Sequence, residues 1–316
     1  MIPSTLRAQL PPLICIVGPT AVGKTKLAVA LSRRFNGEII NADSRQVYRY
    51  MDIGTAKPTL EERAQAPHHL LDILNPDEDF GLGSFLSQAN TSIQRIDSRE
   101  HLPMAVGGTG QYIWALVEGS KVPPVAPNSE FRRAKEQEAE ENGPLSLHQE
   151  LQSLDPDRAA QLNPRNVRRV IRALEIHHAT QELPSSFALF SEPTTNSLVI
   201  GLNLERPELY KHIDERVDIM IESGLEEEAR SLSSMGYLLG QKSLASPGYL
   251  EMGLYLSGEI DLDEAVQRTK FQTHRMARRQ HTWFKAQDPR IHWLSAASAN
   301  LESQAAALVE GFLAGG

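Results

Sequence analysis

Apolar positions along this chain fall into short unbroken runs, separated by longer stretches in which they recur at helical spacing. Leu13–Val17 (LICIV), Glu38–Asn41 (EIIN), Pro67–Leu74 (PHHLLDIL), Pro103–Val106 (PMAV) and Leu198–Leu204 (LVIGLNL) read as strands. Between them lie Leu27, Ala28, Leu31 and Phe35, and then Phe85, Leu86, Ala89, Ile93 and Ile96, each set forming one face of a helix. Strands alternating with helices predict an α/β core with a parallel sheet. The pattern changes at a proline-rich linker, Lys121–Asn128. Ser129–Thr180 is helical throughout, and Ser185–Ser197 is a second polar linker. The expected organisation is therefore a core over 1–118, a helical insertion over 119–197, and a second core part over 198–316 with C-terminal helices. Pro207 should open a helix that buries Leu209, Ile213, Val217, Met220 and Ile221. A further helix near Gly224 carries Glu226-Glu227-Glu228, expected to be solvated. Asp261–Lys285 is the last long helix, with Phe271, Trp283 and Phe284 expected to anchor it to the core. Leu301–Leu313 closes the chain.

The first strand runs into Gly18, Pro19, Thr20, Ala21, Val22, Gly23, Lys24 and Thr25, which fits the phosphate-loop pattern G-x-x-x-x-G-K-[ST]. Placed between a buried strand and a helix N-terminus, such a loop turns backbone N–H groups toward an anion. Lys24 would reach the outer phosphate, and Thr25 offers a hydroxyl to magnesium. Asp43, just after the second strand and followed by Ser, could be a helix N-cap, but ligands of open α/β sheets bind at the carboxyl ends of strands, so it is expected to face this loop, either through a magnesium ion or as a handler of protons. The fourth strand ends in Gly107-Gly108-Thr109-Gly110. A nucleotide-hydrolysing enzyme would usually carry a Walker-B aspartate there. The glycines instead allow a substrate close to the backbone, and Thr109 can give it a hydroxyl. Arg216 shares the apolar face of the helix after Pro207. A buried arginine needs an anion, and pattern alone leaves two: a core carboxylate such as Asp72, or a bound phosphate opposite Lys24.

Composition narrows the class. The chain has 316 residues, 41% hydrophobic and 23% charged, as in a globular protein with a sizeable core. No apolar run would span a bilayer and the N-terminus lacks a signal-peptide pattern, so a cytoplasmic protein without a membrane partner is expected. The single cysteine, Cys15, excludes an internal disulfide. The net charge of −8 argues mildly against nucleic acid, but two segments run against the average. Arg165, Arg168, Arg169 and Arg172 fall on one helical face with no acid before Glu175. From Arg268 to Gln287, a segment that includes Arg275, Arg278 and Arg279, there is no acid at all. An anionic polymer is the expected partner.

GPTAVGKT, NADSRQVYRYMDIGTAKP, APHHLLDI, VGGTGQYIWAL, RRVIRALEI, ERVDIMIESGLEEE and RRQHTWF, in this order over roughly residues 13–294, resemble the tRNA dimethylallyltransferase family. The resemblance implies a phosphate-loop α/β core with a helical insertion. It implies transfer of a dimethylallyl group from dimethylallyl diphosphate to the exocyclic amine of the adenosine 3′ of the anticodon. The loop would then hold the leaving diphosphate, not ATP, with Mg²⁺ on Thr25. Asp43 becomes the general base, Thr109 a contact to the adenosine, and Arg216 a holder of diphosphate. Asp43, Ser44, Arg45, Gln46 and the Arg168–Arg172 face would touch the anticodon arm, as would Arg132. A monomer is expected. The chain departs from the family at Ser246-Pro247-Gly248-Tyr249-Leu250-Glu251, where I-G-Y-K-E is common, and at Ala126-Pro127-Asn128-Ser129, where A-D-P is common. A phosphate-loop kinase of small molecules and a prenyltransferase acting on free adenine nucleotides are the alternatives.

Overall fold

The computed structural model describes residues 10–187 and 192–315. The extreme N-terminus and part of the second linker, 188–191, lie outside the described residues. The chain divides into two compact units, Met1–Glu118 with Glu192–Gly316, and Gly119–Ser191.

The first unit is built on a six-stranded, wholly parallel sheet: β1 (Pro12–Val17), β2 (Gly37–Asn41), β3 (His68–His69), β4 (Leu102–Val106), β5 (Asn196–Asn203) and β6 (Ile291–Ser295), in the order β3-β2-β4-β1-β5-β6. β1 is central, with Cys15 opposite Ala105 on one side and Val199 on the other. Parallel strands covered on both faces must be apolar throughout, and Leu13 through Val17 are buried completely. On this sheet pack α1 (Lys24–Phe35), with the short α2 (Leu60–Gln65) against it, and α3 (Leu82–Asp97) and α4 (Gly110–Glu118). After β5 come α9 (Arg206–Glu222), α10 (Leu225–Ser234), α11 (Tyr249–Leu256), α12 (Leu262–Trp283) and, after β6, α13 (Leu301–Ala314). None of the helices is long and apolar enough to cross a membrane among the described residues.

Two strands differ from the sequence reading. Of the run Pro67–Leu74 only His68–His69 pairs with β2. Leu70 and Asp72 then take φ of 61° and 55°, which turns the chain out of the sheet. Asn41 holds this turn, its Nδ2 donating to the Leu70 carbonyl at 3.1 Å. β6, absent from the sequence reading, is a half-exposed edge strand without an unbroken apolar run. The aromatic residues of α12 also divide: Phe284 is buried, Trp283 accepts the Trp114 indole N–H at its carbonyl (2.9 Å), but Phe271 is exposed and anchors nothing.

The second unit holds α5 (Ser129–Asn142), α6 (Pro144–Leu154), α7 (Pro156–Ala160) and α8 (Val167–Thr180). Its core is Leu147, Leu151, Leu162, Val170, Ile171 and Leu174. Asn166 caps α8 by accepting from the Arg169 amide.

Candidate active site

The turn from β1 into α1 crosses the carboxyl edge of the sheet beside β5. Gly23 stands at φ 94°, a left-handed conformation that costs glycine nothing and that aims the first amides of α1 into the loop. Lys24 folds back, Nζ donating to the Pro19 carbonyl at 2.7 Å. Burial pushes its ammonium down to about 8, Asp43 opposes the shift and Arg216 adds to it. Lys24 thus feels both residues, so the structure brings all three together. They line one cavity of about 1100 Å³ with Thr20, Thr25, Gln46, Gln280, Ile53, Ile219 and Met220.

Asp43 caps no helix. Its Oδ1 accepts the Arg45 amide at 2.9 Å, its own amide donates to Asn41 Oδ1 at 3.0 Å, and its Oδ2 makes no hydrogen bond among the described residues. The Asx turn holds the carboxylate and leaves one oxygen toward the cavity. Arg216 makes no hydrogen bond or ion pair among the described residues. Burial pulls its guanidinium below its usual range, and Glu62 opposes this from a distance. Asp72, the alternative partner, is taken by Lys57 Nζ at 2.5 Å and Arg63 at 2.8 Å. Lys24 and Arg216 are therefore two cations facing one cavity, neither of them in an ion pair among the described residues. The strand end after β4 is used differently from the sequence reading. A Cβ on Gly107 would lie 2.2 Å from the Ala42 carbonyl oxygen, so protein backbone already fills that approach. Thr109 Oγ1 accepts the Ser44 amide at 3.1 Å.

Sequence comparison decides the family. The family described as IPP transferase matches residues 46–287, and that described as isopentenyl transferase matches residues 11–72. The chain belongs to the tRNA dimethylallyltransferase family. It is 47% identical over 298 residues to a tRNA dimethylallyltransferase of Roseiflexus sp. strain RS-1, covering 94% of this chain and 97% of that protein. The corresponding protein of Dehalococcoides mccartyi is 42% identical over 318 residues, 99% of this chain and 98% of its own length. Among solved structures, a full-length tRNA isopentenylpyrophosphate transferase of Bacillus halodurans is 40% identical, with a TM-score of 0.72 over 96% of this chain and 97% of that one. A eukaryotic dimethylallyltransferase acting on tRNA is 28% identical, with a TM-score of 0.81 over 96% of this chain and 79% of that one.

Within this family member the loop after β2 is braced from below. Glu228, read from sequence as solvated, accepts the amides of Asp52, Ile53 and Gly54 at 2.8, 2.8 and 3.0 Å and the Tyr249 hydroxyl at 2.6 Å. Gln46 Nε2 donates to the carbonyls of Thr55 and Ala56, and Arg45 reaches the Lys242 carbonyl at 3.4 Å. Tyr249 lies in the stretch that departs from the family pattern, and it is fully buried.

The five arginines of the insertion expected to touch tRNA fall into two groups. Arg165, Arg168 and Arg169 are exposed and their side chains have no partner among the described residues. Arg132 and Arg172 point inward onto Glu175, which is 1% exposed: Arg132 donates with two nitrogens at 2.8 Å, Arg172 at 2.5 Å. Burial pushes the Glu175 carboxyl up, but Arg132, the Asn128 amide and Arg172 outweigh it and hold it below its ordinary range. In the first unit, Arg275 reaches only Gln272 and Arg278 the Tyr210 hydroxyl at 2.8 Å, while Arg279 has no side-chain partner among the described residues. Periodicity gives no signal for Glu228, Gln280 or Lys57. Their importance rests on partners distant in sequence.

Proposed function

We propose that this protein transfers the dimethylallyl group of dimethylallyl diphosphate to the exocyclic amine of the adenosine 3′ of the anticodon in tRNA, releasing diphosphate. The observation that carries the proposal is a pair of cations, Lys24 and Arg216, neither in an ion pair among the described residues, facing one cavity with the Asp43 carboxylate. The bond from the allylic carbon to the diphosphate oxygen breaks and one from the amine nitrogen to that carbon forms. The phosphate-loop amides, Lys24 and Arg216 receive the negative charge that develops on the leaving group. An aromatic exocyclic amine is a weak nucleophile, and Asp43 Oδ2 takes its proton. Thr109 Oγ1 accepts the amide of Ser44, the residue after this base, and would give the adenosine a hydroxyl contact.

The donor set fits a magnesium ion. Thr25 lines the cavity and its hydroxyl has no hydrogen-bond partner among the described residues, and magnesium keeps most of its water and binds through one or two protein oxygens plus substrate phosphates. Thr25 would hold it, and it would supply further positive charge to the diphosphate. The exposed arginines Arg165, Arg168 and Arg169, and Arg275, Arg278 and Arg279 on α12, supply phosphate contacts, with the target base splayed out of the anticodon loop. Arg132 and Arg172 stabilise the insertion itself.

Incubating the protein with unmodified tRNA and labelled dimethylallyl diphosphate, without ATP, tests the proposal. Label should appear in the tRNA. Transfer that depends on ATP hydrolysis, or label only in free adenine nucleotides, would reject it.

A further inference from the structure

Gln280, near the end of α12, ties together two loops far apart in sequence. Its Oε1 accepts the Thr20 amide of the phosphate loop at 2.8 Å, and its Nε2 donates to the Gly108 carbonyl after β4 at 3.2 Å. It lines the same cavity as Lys24 and Asp43. A carboxamide suits this position because it carries an acceptor and a donor on one planar group, where a carboxylate could not donate and an ammonium could not accept.

Gly108 gives an independent reading of the same contact. Its backbone is outside the left-handed region, so alanine is conformationally permitted. Yet a Cβ there would lie 2.1 Å from Gln280 Nε2 and 3.1 Å from its Cδ, with the next atom 3.6 Å away. Gln280 is thus the one group that would have to move to admit a side chain at residue 108.

We propose that Gln280 is a positioning residue: it sets the phosphate loop against the Gly107–Gly108 turn, and so fixes the distance between the leaving diphosphate and the accepting amine. The inference rests on the transferase reading above. One of its two contacts is on the loop that cradles the leaving group. The other precedes Thr109, which holds the Ser44 amide beside the base Asp43. Reacting groups held about 1 Å out of place can lose on the order of 100-fold in rate.

The test measures binding of inorganic diphosphate, tRNA affinity, single-turnover transfer and thermal midpoint for Gln280→Ala, Gln280→Glu, Gly108→Ala and the double variant Gln280→Ala/Gly108→Ala. In Gln280→Ala diphosphate affinity should fall about threefold or more and single-turnover transfer by roughly 100-fold, with tRNA affinity within about twofold of wild type. Gln280→Glu keeps the acceptor for Thr20 but places a negative charge beside the anion cradle, so it should bind diphosphate more weakly than Gln280→Ala. Gly108→Ala should be impaired because its methyl displaces Gln280. The double variant should then be no worse than Gln280→Ala, since neighbours acting through one contact are not additive. Additive losses would overturn the proposal, as would wild-type diphosphate affinity and rate in Gln280→Ala with only a lowered thermal midpoint. If the wild-type protein fails to label tRNA, the transferase reading falls, and the diphosphate measurements still decide the role of Gln280.

Discussion

At the scale of the residue, the site depends on groups that the fold leaves without partners. Asp43 uses Oδ1 to hold its own turn, and its Oδ2 has no hydrogen bond among the described residues. Asparagine can make the same turn but cannot take a proton. Asp43→Asn should therefore lower single-turnover transfer about 100- to 10,000-fold with tRNA affinity nearly unchanged, and a near-wild-type rate would assign the proton elsewhere. Arg216 is a half-buried cation without an ion pair, which weakens the empty protein. Arg216→Met should weaken diphosphate binding while leaving the thermal midpoint equal to or above wild type; a large fall in midpoint would make Arg216 a structural residue. Lys24 carries a sign that can be checked by pH. Its ammonium sits at about 8 in the empty site, against an ordinary 10.5. Diphosphate needs the charged form, so affinity should hold below about pH 8 and decline above it, and Lys24→Met should lack this break. The unfolded chain keeps the proton to higher pH. Between these values the unfolded state binds more protons, and this residue makes the empty protein more stable as pH rises.

At the scale of elements, one edge of the sheet is held by a buried acid. Glu38 of β2 accepts from Arg99 at 2.8 and 2.9 Å and lies 2.6 Å from ring nitrogens of both His69 on β3 and His101 before β4. Burial raises its carboxyl, but the hydrogen bonds from Arg99, His69 and His101 outweigh this and bring it down to about 2 from 4.5. A depressed acid contributes stability that is fully present above its unfolded value and is lost as pH falls through the folded one. The window is therefore about pH 4.5 to 2, and the contribution on the order of 3 kcal/mol. Urea midpoints of wild type should fall across this window more steeply than those of Glu38→Gln; parallel profiles would show that the cluster adds no pH-dependent stability.

At the scale of the whole molecule, a chain of net charge −8 must bind a polyanion through local basic surface. The exposed arginines of α8 and of the turn before it supply such a surface in the insertion. Replacing Arg165, Arg168 and Arg169 by alanine should weaken tRNA binding and reduce its log–log salt slope by about 0.7 for each single-strand phosphate no longer neutralised, with diphosphate binding unchanged. Equal affinity and parallel salt titrations would make these residues solvated surface only.

What the sequence determined by itself was local. Periodicity and glycine placement marked β1, the phosphate loop and α1, the amphipathic helices, and the change to an all-helical segment, because burial of one face and the conformation of a turn depend on residues a few positions apart. Lys24, Asp43 and Arg216 were legible as candidates for the same reason: a motif, a strand end, a charge on an apolar face. The tertiary structure decided the partners. Asp72 goes to Lys57 and Arg63 and leaves Arg216 open to the cavity. Glu228 leaves solvent to hold three amides of a loop distant in the chain. Arg132 and Arg172 turn inward onto Glu175, while Arg165, Arg168 and Arg169 stay exposed. β3 ends after His69, and Gln280 reaches Thr20 from the far end of α12. A charge or amide carries no mark of which distant group will neutralise it; that follows only when the strand order and helix packing bring the two together.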